Sequence, residues 1–250
     1  MNRITTASLG VAAALVVSVP FTLAVTTSEE SPREPMPLMA ATSDIKPNSS
    51  VRDWVTYADH VVQVRVAEEE HLPADPVAIE RGEGAMGRRV TLDVQRVLWS
   101  SEDAPRPAPD SYEIGTWGSS FTDGNIDDPV PTAAQGHARV EVGHTYIKAI
   151  FWEAERCSEG DGRQPAMWLT LGGGATIPAD NGVIGNGEFE GRVMDADERG
   201  RSARFADEGP NPTVQGRMMG QNVGQLAQAL RTADPDPNPG DYDLPPAPCE

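Results

Sequence analysis

HVVQVRVA, residues 60–67, sets Val62, Val64 and Val66 in alternation with Gln63 and Arg65. A period of two marks a strand with one buried and one wet face, so the three valines face a core. Working outward, RRVTLDVQRVLWSS (88–101) repeats the pattern with Val90, Leu92 and Val94. Its phase then shifts, which predicts a β-bulge near Gln95 or Arg96 and turns Val97 and Trp99 toward the inner face. SYEIGTW (111–117) reads as a short strand, and HTYIKAIFWEAE (144–155), apolar on both faces, as a central one. AMWLTLGGGATI (166–177) and GVIGNGEFEGRVM (182–194) bring the total to about six strands, with Asn181-Gly182 as a turn signal between the last two.

Helical patterning is sparser. VRDWVTYAD (51–59) suits a short helix before the first strand. NVGQLAQALRTAD (222–234) places Val223, Leu226, Ala227 and Leu230 at i, i+3, i+4 and i+7, one apolar stripe that Pro235 brings to an end. The 250 residues, 38% of them hydrophobic, suffice for one core with extensions, and 22 prolines with 24 glycines favour turns and extended segments. These readings predict an all-β fold: a small barrel of about six strands, closed or partly open, with a C-terminal helix packed on it.

A formal charge of −18 excludes a nucleic-acid partner, because phosphate backbones are held by clustered Lys and Arg. At the N-terminus, Arg3 precedes an uncharged run over residues 4–25 that ends before Glu29 and Glu30, the pattern of an export signal. That run is also long enough to cross a bilayer as an uncleaved anchor, so residues 1–25 read as a signal peptide or a membrane anchor. Residues 26–50, with prolines at 32, 35, 37 and 47, read as a solvated linker, and the body is expected over 51–233. Residues 234–250 form an acidic, proline-rich tail. The protein is therefore expected outside the cytoplasm, secreted or anchored, touching the membrane only through its N-terminal segment.

The segments ADHVVQVRV, RRVTLDVQRVLWSS, VEVGHTYIKAIFW and WLTLGGGATI together resemble the strand series of small exported proteins, common in actinobacteria. The body of those proteins is a compact β-barrel related to oligosaccharide/oligonucleotide-binding (OB) and netrin-like domains. The likeness spans residues 53–193. It implies an exported β-barrel and carries no reactive residues with it. Netrin-like inhibitors of metalloproteinases act through an N-terminal cysteine, and this chain has none before Cys157, so that activity is not transferred.

Cys157 and Cys249 are the only cysteines, and an oxidising compartment favours their pairing as a disulfide. Such a bridge closes a ring of about 93 residues and adds ~4 kcal/mol in the loop-entropy account. In TDGNIDDP, Asp123, Asn125 and Asp127 take positions 1, 3 and 5 of a calcium loop. Asp128 stands where glycine belongs and Ala134 where a glutamate belongs, so the segment reads as a solvated acidic turn and no metal is assigned. His60, His71, His137 and His144 lack metal-ligand spacing. SDIK (43–46) copies a Ser-x-x-Lys motif without its companions, and GNGEFEG (185–191) is one residue too long for a dinucleotide loop. Trp99, Trp117, Trp152 and Trp168 all fall on predicted strands, where they pack the core or offer a stacking surface for a sugar or peptide.

No catalytic residue and no cofactor is assigned. The expected function is a non-catalytic binding or interaction module at the cell envelope, with a protein or glycan partner. The alternatives are a structural envelope protein, or a hydrolase in which Ser119 or Ser120 meets a histidine and an acid.

Overall fold

The computed structural model describes residues 37–40, 44–158, 162–205 and 213–242. The apolar run at 4–25, most of the linker, Cys249 and the end of the tail lie outside the described residues. In chain order the elements are β1 (Leu38–Ala40), α1 (Val51–Tyr57), β2 (His60–His71), α2 (Pro76–Arg81), β3 (Gly84–Ser100), β4 (Ser111–Phe121), β5 (Val130–Ala134), β6 (Thr145–Glu153), β7 (Arg156–Ser158), β8 (Gly162–Gln164), β9 (Met167–Thr170), β10 (Thr176–Pro178), β11 (Gly187–Phe189), β12 (Arg192–Met194), α3 (Ala196–Phe205), α4 (Val214–Met218) and α5 (Val223–Thr232).

The fold is mostly β, with few helices and one large sheet of eight strands. Neighbours run β1-β5-β4-β3-β2-β6-β10, and β9 adds to β6. Among the described residues no ladder joins the ends of that path, so a closed barrel is not formed.

Two apolar clusters lie on opposite faces of the β2–β6 pair. Val62, Val64, Val66, Val90, Leu92, Tyr146 and Ile150 form one. Val61, Ile147, Ala149 and Phe151 meet the helices in the other, where α1 contributes Trp54 and α5 contributes Val223, Leu226 and Leu230. Hence Val61 and Val62 are both fully buried, and β6 is buried along most of its length on both sides. Trp54 anchors the helical side, its indole N–H donating to the Asn48 carbonyl at 2.9 Å. Both helices carry capping boxes, Ser50 with Asp53 and Asn222 with Gln225, which satisfy backbone donors that the first turn leaves open.

The β2–β3 ladder skips Gln95, where the bulge was expected, and skips Leu98 as well. The second bulge reverses the predicted facing: Leu98 turns inward, whereas Val97 is 44% exposed. A bulge adds one residue without a partner, so each one flips the alternation that follows it. Residues 166–177, expected as one strand, divide into β9, a turn at Gly173–Ala175 and β10. Residues 182–194 hold only the small β11–β12 hairpin.

The described parts of the linker and tail are hydrogen-bonded to the body. Residues 38–40 pair in parallel with β5, and the Ile45 and Lys46 N–H groups both donate to the Leu171 carbonyl. In the tail, Asp236 and Gly240 donate backbone N–H groups to the Thr56 and Tyr57 hydroxyls, and Tyr242 meets the Tyr57 ring edge-on. Residues on both sides of 51–233 thus make contacts with the body.

Candidate functional site

Alternation along β6 places Tyr146, Lys148 and Ile150 on one face and Ile147, Ala149 and Phe151 on the other. Because both faces are covered, Lys148 has no solvent side to occupy. It is 2% exposed, and its ammonium nitrogen lies 2.7 Å from the Thr176 hydroxyl on the neighbouring β10. Burial pushes its pKa down to about 7, because desolvation penalises the charged form.

Lys148 and Thr176 help line a cavity of about 520 Å³ with mostly apolar walls, among them Met86, Ile114, Trp117 and Val140. Trp117 is 40% exposed and sits where the cavity meets solvent. His137 and Arg139 are the other titratable or charged side chains in the lining.

One wall is the segment 137–140, held by a buried ionic network. Glu188 is 1% exposed and accepts four hydrogen bonds: from the Arg139 and Gly191 N–H groups on one oxygen, and from the Val140 N–H and the Tyr146 hydroxyl on the other. Burial and the Glu188 charge together raise the Tyr146 pKa. Arg88, fully buried, donates to Glu69 and to the carbonyls of Trp117, Arg139 and Val140. Arg139 reaches back to the Thr132 and Gly118 carbonyls and to Glu141. Side chains thus stitch this wall to β3, β4 and β6, and they hold Val140 at φ 67°, a conformation that β-branched residues seldom adopt.

Gly173, in the run Gly172-Gly173-Gly174, also lines the cavity. A Cβ at Gly172 would overlap Asp44 and Asn48, one at Gly174 would overlap Asn48, and one at Gly173 would overlap the His137 ring. Only glycine permits these approaches. The Asp44 carboxylate fixes the turn by accepting the Gly173 N–H at 3.0 Å.

The four tryptophans do not share a surface. Trp152 and Trp168 are direct cross-strand partners on β6 and β9, with ring centres 5.2 Å apart and the Arg106 guanidinium 4.3 Å from the Trp152 ring. They line a second cleft, of about 510 Å³, together with Tyr112, whose buried hydroxyl has no hydrogen-bond partner among the described residues. Trp99 packs on the helical cluster instead, since it lies opposite Val61 on the face that α1 and α5 cover. Trp117 belongs to the Lys148 cavity.

Asp123, Asn125 and Asp127 lie in an exposed turn. Among the described residues no cluster of three or more His, Cys, Asp or Glu side chains is placed to hold a metal. Ser120 bonds Thr132, and no histidine bonds Ser119 or Ser120 among the described residues. His60 contacts the Ser100 hydroxyl and the Arg106 carbonyl, His144 pairs with Asp180, and His71 with Glu69. Cys157 sits on the short β7, and its expected partner Cys249 lies outside the described residues.

Sequence reasoning passed over Lys148. The signal was present in TYIKAIF, where a lysine falls in phase with Tyr146 and Ile150 in a strand apolar on both faces. The Arg88, Arg139 and Glu188 network left no comparable trace, because its members are scattered along the chain. Compared with protein-family models, with curated proteins and with solved structures, the chain matches none.

Proposed function

We propose that this chain is an exported binding module of the cell envelope, whose sheet works as a partly open barrel and whose cavity at Lys148 receives a small ligand. The ligand has an apolar body, matched to Met86, Ile114 and Val140, and one polar group directed at Lys148 and Thr176. The observation that carries this reading is the Lys148–Thr176 pair, a costly buried amine kept in the lining of a mostly apolar cavity. Export rests on Arg3 and the apolar run at 4–25, and a Cys157–Cys249 disulfide belongs to the same reading.

A second reading concerns the cleft between Trp152 and Trp168, where paired rings and the Tyr112 hydroxyl suit a sugar ring stacked against the protein.

The test of the cavity is fluorescence of the purified chain titrated with short amphiphiles such as hexanoate, hexanol and hexanal. Saturable change that Trp117→Phe removes supports the reading, and no saturable change with any of them rejects it. A periplasm-type reporter fusion silent outside the cytoplasm would overturn export, and an intact mass showing two free thiols would remove the disulfide.

A further inference from the structure

Among twenty cationic residues this chain has only two lysines, Lys46 and Lys148. Elsewhere it uses arginine, including at both buried cationic positions of the Glu188 network. Arginine stays charged at every physiological pH, whereas a lysine amine can lose its proton and become a nucleophile. Lys148, set into a mostly apolar cavity, is a position where that difference has a chemical use.

We propose that Lys148 captures carbonyl compounds, forming a reversible imine with an aldehyde or ketone of small apolar body. This deepens the cavity reading and rests on it. Three features of the site support the step. Among the described residues the Lys148 nitrogen has a hydroxyl partner and no carboxylate partner to hold its proton. The cavity places apolar walls around the position a carbonyl substituent would take. The Thr176 hydroxyl, 2.7 Å from the nitrogen, can both accept an N–H and donate to a developing oxyanion.

In the step itself the neutral amine attacks the carbonyl carbon, a C–N bond forms, and the C=O π electrons move to oxygen. A proton passes from nitrogen to oxygen to give the carbinolamine. Loss of the remaining N–H proton together with the C–O bond then releases one water and leaves the C=N bond. No oxidant, reductant or further reactant is consumed. Burial that leaves the amine titrating near neutrality keeps a reactive fraction available at pH 7.

The experiment incubates the full chain with hexanal and cyanoborohydride at pH 7, then locates the reduced adduct by peptide mass mapping. Lys46, whose ammonium lies over the Phe151 ring, and the N-terminal amine serve as internal controls. The labelled fraction at Lys148 is expected to exceed that at Lys46 by about tenfold or more, because burial pushes the Lys148 pKa down and the cavity holds hexanal beside it. Excess hexanol protects Lys148 alone. Thr176→Val slows labelling at Lys148 and leaves Lys46 unchanged. If hexanal and hexanol perturb Trp117 fluorescence saturably but Lys148 is labelled no faster than Lys46, carbonyl capture is overturned and the binding cavity stands. If neither perturbs the fluorescence and Lys148 stays unlabelled, both fail.

Discussion

Glu188 accepts the Val140 backbone N–H at 2.9 Å, and Val140 is held at φ 67°. A buried carboxylate thus fixes a backbone conformation that its own residue type disfavours, and it does so in the wall of the cavity. Glu188→Gln keeps the shape but offers one acceptor oxygen where there were two, and it turns an NH₂ toward donors. It is expected to cost about 3 kcal/mol, from the lost charge-assisted bonds and the donors left unsatisfied. Urea denaturation checks this: the midpoint falls while the slope stays unchanged.

At Val140 itself, substitution should give an inverted order. The left-handed conformation costs an L-residue with a Cβ roughly 1–2 kcal/mol, while the extra methyl of alanine over glycine contributes only about 0.8 kcal/mol of burial. Val140→Gly is therefore expected to unfold at a higher urea concentration than Val140→Ala. The reverse order would show that the wall relaxes to ordinary φ when the side chain is shortened.

Lys148→Met tests the burial of the amine through its pH dependence. Below about pH 7 the amine carries its proton in both the folded and unfolded chain, so the full cost of burying charge applies. As pH rises from about 7 toward the ordinary lysine value of 10.5, the folded chain holds the amine neutral while the unfolded chain still binds a proton, and wild-type stability climbs. The advantage of Lys148→Met is greatest at pH 6, on the order of 5 kcal/mol, and shrinks through pH 8 and 9. His137 and Arg139, the other titratable or charged groups lining the cavity, are common to both proteins and cancel in the difference. A stability difference that is flat from pH 6 to 10 would contradict a buried, neutralised lysine.

Gly173→Ala would drive a methyl group into the His137 ring. Overpacking of this kind costs about 1–3 kcal/mol. His137→Ala makes room, so the double variant should recover most of the loss, and the coupling between the two substitutions measures the contact directly. Additive effects would mean that the ring swings aside at little cost.

The strands were the most legible part of this protein. Alternation in residues 60–67 and 88–94, the two-sided apolar pattern of 144–155 and the bulge at Gln95 are local properties, because a strand's facing is set by its own neighbours in sequence. The second bulge at Leu98 was not legible, since nothing in the local pattern says which residue a partner strand will skip. Lys148 lay in plain sight as a misfit, but its partner Thr176 is 28 residues away and meets it only because β10 pairs with β6.

The sequence alone determined that the chain builds sheet, because a two-residue period requires one face to be apolar and the other not. Only the tertiary structure decided which faces meet water. Covering β2 and β6 with helices on one side and with side chains such as Leu92, Tyr112 and Val140 on the other leaves Lys148 a buried amine. The same packing brings Arg88, Arg139, Glu188 and Tyr146, spread over 101 positions, within hydrogen-bonding distance of one short wall. Long-range contacts of that kind are set by how the elements pack on one another, and no window of sequence encodes them.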